Sequence, residues 1–202
     1  MGSASYDAVV IGVSAGGLQA LKTFLPALPA SFPLPLAIVQ HTGEHSGSFT
    51  AEYLNTLSNI TVKEAEDKEP LQACHAYLAP AGYHLLIEPD KIFSLSVDGR
   101  VNYCCPSVDV LFESAADVFR ASLIGVVLTG ANRDGAQGLA TIRKYGGKAI
   151  IQNPETAESP AMPKAAFALT PDAEMVHLEQ LASLLVQLSQ SHERGLYANQ
   201  HR

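Results

Sequence analysis

The sequence is short of positive charge, of cysteine and of any long apolar run, and each shortage removes a class of function. Thirteen lysines and arginines stand against twenty aspartates and glutamates, a net charge of −7. Binding along nucleic acid requires a basic surface to neutralise phosphates, so no nucleic-acid partner is expected. No apolar run approaches the ~18 residues that suggest a membrane span. The opening MGSASYDAVV has neither a basic n-region nor an apolar signal core. Secretion and direct membrane insertion are therefore not expected, and the cytoplasm is. Cys74, Cys104 and Cys105 are odd in number and two are adjacent, which implies no disulfide framework. They read as small buried apolar side chains.

What is present is enough apolar material for a core. With 47% hydrophobic residues in 202, the chain reads as one domain over 1–202, its core at about 7–168 and a C-terminal helix at about 176–192. Short apolar runs at Ala8–Val13, Leu36–Gln40, Tyr83–Glu88, Ile92–Val97, Leu123–Thr129 and Lys148–Gln152 have strand length. Their continuous apolarity predicts strands covered on both faces, as in a parallel sheet. Helical stripes fall between some of them: Leu18, Leu21, Leu25 and Leu28; Val108, Leu111, Phe112, Ala115 and Phe119, with Ser107 placed to cap; and Asp134 to Tyr145, stopped by Gly146-Gly147. The closely spaced runs around Pro89-Asp90 predict a hairpin. The fold class expected is α/β, a doubly wound, mostly parallel sheet with an added antiparallel hairpin.

Three strand ends carry chemistry. Val9–Gly17 runs from a strand through Ser14-Ala15-Gly16-Gly17 into a helix. It is no dinucleotide fingerprint, because serine occupies the place of the second glycine and the second strand ends in Gln40-His41 rather than an acid. Small neighbours leave the Ser14 hydroxyl approachable, and free N–H groups at the helix start are the components of an oxyanion hole. The competing role is a plain helix cap. A serine nucleophile needs a base. His41 follows the second strand and shares the carboxyl edge of the sheet with Ser14 if the two strands are neighbours; His45 is its rival. Spacing of His41 and His45 would suit a metal only on a helix, and Gly43 and Gly47 argue for a loop, so no metal and no cofactor are expected. Asp134 follows the strand at 123–129 and could orient His41, or cap the helix after it.

These residues lie within stretches that resemble the catalytic domain of chemotaxis protein-glutamate methylesterases. The matching stretches are I-G-V-S-A-G-G at 11–17, Q-H at 40–41, P-S-V-D-V-L-F at 106–112, L-T-G at 128–130, D-G at 134–135, Q-N at 152–153 and M-P at 162–163. The resemblance covers about residues 7–168. It implies a doubly wound α/β fold and a serine hydrolase with Ser14 as nucleophile, His41 as base and Asp134 as orienting acid. The backbone N–H groups of Ala15 and Ala131 become the oxyanion donors. It further implies hydrolysis of glutamate methyl esters on the cytoplasmic helices of methyl-accepting chemoreceptors, and deamidation of receptor glutamines. Against the family pattern, Ala15 replaces threonine, Ala131 and Asn132 replace methionine and glycine, and Cys105 and Tyr53 stand where arginines are common. The family usually carries an N-terminal receiver domain, and here the first strand begins within a few residues of Met1, as expected of a stand-alone catalytic domain or an excised one. The alternative from another class is a catalytically silent module that binds receptors or partners on the same fold.

Overall fold

The computed structural model describes residues 5–41 and 49–199. Its strands are β1 (Ala8–Val13), β2 (Leu36–Gln40), β3 (Thr61–Glu64), β4 (His75–Leu78), β5 (His84–Ile87), β6 (Phe93–Ser96), β7 (Leu123–Val127), β8 (Lys148–Gln152) and β9 (Glu174–Val176). The helices are α1 (Gly17–Phe24), α2 (Phe49–Leu57), α3 (Val108–Phe119), α4 (Ala136–Lys144), α5 (Ala161–Leu169) and α6 (Leu181–Asn199).

Seven strands form one parallel sheet in the order β3-β4-β2-β1-β7-β8-β9. The chain fills one side of β1 first and then crosses to the other, so the order reverses at β1. A crevice at the carboxyl ends of the strands is the consequence of such a reversal. Every residue of β1 is buried. Val9, Ile11 and Val13 join Leu21, Leu25, Leu181 and Leu185 in one core, while Ala8 and Val10 join Leu111, Phe112, Leu139 and Ile142 in the other. Alternate side chains thus enter two apolar layers, which is why the strand reads as a continuous apolar run.

The expected hairpin is present as β5 and β6, paired antiparallel, but it forms a two-stranded sheet of its own. It leans on α3, where Ser114 Oγ accepts from the Ile87 N–H at 3.2 Å. The expected C-terminal helix starts later, at Leu181, and the short strand β9 takes residues 174–176. Strands β3, β4 and β9 and helices α2 and α5 were not foreseen from periodicity. β3 and β9 are short edge strands with one buried residue each, and α5 carries Pro163 in its first turn, where proline is tolerated.

Helices α3 and α4 approach closely because Gly138 has no side chain. A Cβ there would lie 2.5 Å from Cβ of Phe112 and 3.2 Å from the backbone Cα of Asp109. Gly→Ala inside a helix ordinarily stabilises by roughly 0.5–1 kcal/mol. Gly138→Ala is expected to do the opposite and to cost about 1–3 kcal/mol, as overpacking does. Urea unfolding measures it, and a stabilised variant would contradict the packing described.

Candidate active site

The site is assembled by strand register. β1 and β2 pair Val13 with Gln40, so the next residues along the two strands are Ser14 and His41. The His41 N–H donates to Val13 O at 3.0 Å, and the Ser14 N–H donates to Thr129 O at 2.9 Å across the sheet end. Ser14 O then accepts from Gly17 N at 2.8 Å, which closes the turn into α1. The cap position of α1 is Gly16, without a side-chain bond. Ser14 is therefore not the helix cap, and among the described residues its hydroxyl has no hydrogen-bond partner. His45, the rival base, lies outside the described residues. Of the other histidines, His84 is buried, with its Nδ1 accepting from Ser107 N at 3.2 Å and its Nε2 against Gly99 O at 3.2 Å, so both of its ring nitrogens are engaged by backbone.

Asp134 meets His41 as expected: its Oδ2 lies 2.9 Å from His41 Nε2. It also caps a helix, though not the one after it. The cap of α4 is Gly135. The carboxylate of Asp134 instead sits at the start of α3, where Oδ2 accepts from Val108 N at 2.7 Å and Oδ1 from Asp109 N at 3.2 Å. Ser107, expected to cap α3 with its own side chain, makes no such bond. Its hydroxyl donates to Asp134 Oδ1 at 2.8 Å, so the capping oxygen is borrowed from residue 134. Asn102 Nδ2 adds a donor at 3.2 Å and also reaches Asp109 Oδ2 at 2.7 Å. Burial alone would push the Asp134 carboxyl up. The hydrogen bonds from His41, Val108, Ser107 and Asn102 outweigh it and hold the group below its ordinary value. Asp109 goes the other way: burial and the neighbouring Asp134 charge exceed what Gly138, Asn102 and Gly135 return.

Two further residues reach His41 that the sequence did not single out. Asn132 Nδ2 is 3.0 Å from His41 Nδ1, and Cys104 Sγ is 3.9 Å from the same nitrogen. Cys104 was read as a buried apolar residue; it is only half-buried, and it edges the site. A thiol beside an imidazole raises the question of a cysteine nucleophile. Burial, reinforced by Asp134, pushes the Cys104 thiol up to about 11 against a weaker opposing effect of Arg100. The thiolate is the reactive form, so near neutral pH Cys104 stays protonated and unreactive.

The other short motifs brace the crevice. Thr129 Oγ1 donates to Ala15 O at 2.8 Å and accepts from Ser159 N at 2.9 Å, while Thr129 N donates to Gln152 Oε1 at 2.9 Å. Gly130 N donates to Ser159 O and Met162 N to Gly130 O, each at 2.9 Å. Residue 130 must be glycine, since a Cβ would lie 2.0 Å from Met162 Sδ and 2.9 Å from Ser14 Cβ. This bracing brings the Ala131 end of one turn toward the Ala15 end of the other. Among the described residues neither the Ala15 nor the Ala131 N–H has an acceptor.

One donor set in the site could be weighed for a metal, because His41, Cys104 and Asp134 offer atoms within 4.8 Å of one another. Asp134 faces Nε2 while Cys104 faces Nδ1 on the other side of the ring. The Asp134 oxygens are already occupied by the bonds above. Three ligands, one of them a carboxylate already committed to five donors, fall short of the four that close a structural zinc site. The set does not fit a resident metal.

The CheB methylesterase family model matches residues 9–185. A Leptospira interrogans protein, provisionally assigned as a protein-glutamate methylesterase/protein-glutamine glutaminase, is 51% identical over 93% of this chain and 97% of its own length. The protein-glutamate methylesterase/protein-glutamine glutaminase of Symbiobacterium thermophilum is 36% identical over 88% of this chain and 49% of its own. The crystal structure of the Thermotoga maritima CheB methylesterase catalytic domain superposes with a TM-score of 0.87 at 34% identity, covering 91% of this chain and 99% of that one.

The capping bonds of Asp134 make a pH-dependent contribution to stability. A carboxyl whose folded-state pKa lies below its unfolded value of about 3.9 adds stability that is present above that value and lost as pH falls through the folded one. Asp134→Asn is therefore expected to cost stability at pH 7, and the gap to wild type should narrow below about pH 4. Urea unfolding across that range tests it; a gap independent of pH would show that the charge contributes nothing.

Proposed function

The chain belongs to the CheB methylesterase family, and from that membership and the site geometry we propose that it is a Ser-His-Asp protein-glutamate methylesterase using Ser14, His41 and Asp134. The observation that carries the reading is the meeting of the β1 and β2 ends with the Asp134 carboxylate, 2.9 Å from His41 Nε2.

With Nε2–H given to Asp134, the lone pair for catalysis is on Nδ1. His41 Nδ1 takes the Ser14 Oγ proton as Oγ attacks the ester carbonyl carbon of a glutamate methyl ester. Negative charge passes to the carbonyl oxygen, where the N–H groups of Ala15 and Ala131 receive it. The imidazolium formed is stabilised by Asp134, which is not itself protonated. When the tetrahedral carbon collapses, the Ser14 ester bond remains, the bond to the methoxy oxygen breaks, and Nδ1–H protonates the departing methanol. Water, deprotonated by the same nitrogen, then hydrolyses the Ser14 ester and leaves a free glutamate. A glutamine side chain follows the same course with ammonia as the leaving group, which is the proposed deamidase activity. No step requires a cofactor.

The proposed substrates are methylated helices of chemoreceptors, and the proposed compartment is the cytoplasm, where such helices would be reached. No described helix is long and apolar enough to cross a membrane. A chain of net charge −7 meets a Glu-rich helix against like-charge repulsion, which salt screens within roughly 10 Å at 0.1 M. Cys105 stands where the family often has arginine, so Cys105→Arg should raise kcat/KM on receptors and leave a small neutral ester unaffected.

Methanol release from methylated receptor membranes is the test. The wild type is expected to release methanol at a rate that rises with moderate salt. Ser14→Ala should lose about 10⁴-fold or more in kcat by analogy with other serine triads, while Cys104→Ala should stay within about tenfold. Full activity of Ser14→Ala, or release of no methanol while small esters are cleaved, would overturn the nucleophile or the receptor assignment respectively.

A further inference from the structure

Asn132 touches the base itself, and its orientation is fixed by its other end. The Asp134 N–H donates to Asn132 Oδ1 at 3.0 Å. A backbone N–H can only donate, so the oxygen of the carboxamide must face residue 134 and its NH₂ must face His41. The 3.0 Å contact to His41 Nδ1 is then a donation from Asn132 to a bare lone pair. The second N–H of the same amide points at Cys104 Sγ, 3.9 Å away, and Cys104 Sγ–H donates in turn to Asn102 O at 3.5 Å. Asn102 closes the circuit on Asp109 and Asp134. Nor is asparagine needed here for its backbone: the left-handed residues other than glycine include Asn102 and Tyr103 but not Asn132. Its side chain is what the position uses.

We propose that Asn132 is a positioning residue that selects the Nε2–H form of His41 and holds the Nδ1 lone pair until the Ser14 hydroxyl takes its place. The inference rests on the reading of His41 as base. The amide favours the unprotonated ring, since a donor facing Nδ1 repels an Nδ1–H. It therefore works against the protonation that catalysis requires and must yield Nδ1 during the step. The base is engaged by a side chain from the turn after β7, and the ester hydrolysis starts by exchanging one hydrogen bond for another. The titratable groups facing the ring among the described residues are Asp134 at Nε2 and Cys104 at Nδ1, with Asp109 and Arg100 acting through these two. Asn132 is the neutral group set between them.

The experiment compares Asn132→Ala and Asn132→Asp with wild type on a small neutral ester, across pH. In Asn132→Ala the lone pair is free. The acid limb of kcat/KM should move to higher pH by about half a unit to one unit, the size expected for loss of one hydrogen bond to the neutral form. Above that limb kcat should rise several-fold with KM unchanged. In Asn132→Asp an acceptor faces Nδ1 and retains a proton there. kcat/KM near neutral pH should fall by ~10²-fold or more, recovering as pH rises. ¹⁵N NMR of the His41 ring gives a readout independent of turnover: the wild type should show the Nε2–H form, with the hydrogen-bonded Nδ1 signal displaced in Asn132→Ala. An acid limb that both variants leave in place, or an Nδ1–H ring in the wild type, overturns the proposal. His41→Gln separates it from the reading beneath: if that variant stays active, His41 is not the base, whereas an inactive His41→Gln with unshifted Asn132 profiles refutes Asn132 alone.

Discussion

A buried carboxylate must be satisfied or it does not stay charged, and the site is organised around meeting that demand for Asp134. Its oxygens accept from His41, Val108, Asp109, Ser107 and Asn102, groups drawn from three separate stretches of chain. The start of α3 needs an acceptor for its free N–H groups and has no cap of its own. The charge also lies at the positive end of a helix. Stability and the proposed chemistry therefore share one group: the hydrogen bonds that cap α3 are the ones that keep a negative charge beside His41.

The parallel sheet supplies the other half of the geometry. Because β1 lies between β2 and β7, the residues just beyond its end meet those beyond both neighbours. Ser14 gains His41 on one side and the Thr129–Asp134 turn on the other by backbone pairing alone. Side chains then fix the distances. Thr129 and Gln152 tie the turns together, and Gly130 lets Ser14 and Met162 close over the join. The crevice is held by backbone pairing together with the Thr129 and Gln152 side chains, and among the described residues none of these bonds uses the N–H of Ala15 or Ala131.

Much of this could be read from the residues. The runs at 8–13, 36–40, 123–129 and 148–152 announce buried strands because both of their faces are covered, and placing Ser14, His41 and Asp134 at strand ends was enough to bring them to one edge. The hairpin was legible as strands but not as a separate sheet, since pattern alone does not say what a hairpin pairs with. Edge strands such as β3 bury too little to leave a periodic mark. Local rules offer Ser107 as the cap of α3, and offer Asp134, besides its role toward His41, as the cap of the helix after it, whereas the bond that forms joins them across the chain; such rules miss a cap supplied from 26 residues away. Cys104 and Asn132 carry only a weak signal, their nearness in sequence to Pro106 and Asp134, and their contacts with His41 exist only once the turn around Cys104 and the turn after β7 both meet the end of β2.

The claim on which the account depends is that the hydroxyl of Ser14 is the group that attacks. Incubation with a fluorophosphonate, followed by peptide mass spectrometry, tests it directly, because such reagents bond to a serine only when a base and an oxyanion site activate it. A single phosphonyl adduct on Ser14, abolished in His41→Gln, is the result the account predicts. An adduct on another residue, or labelling of Ser14 that persists without His41, would contradict it.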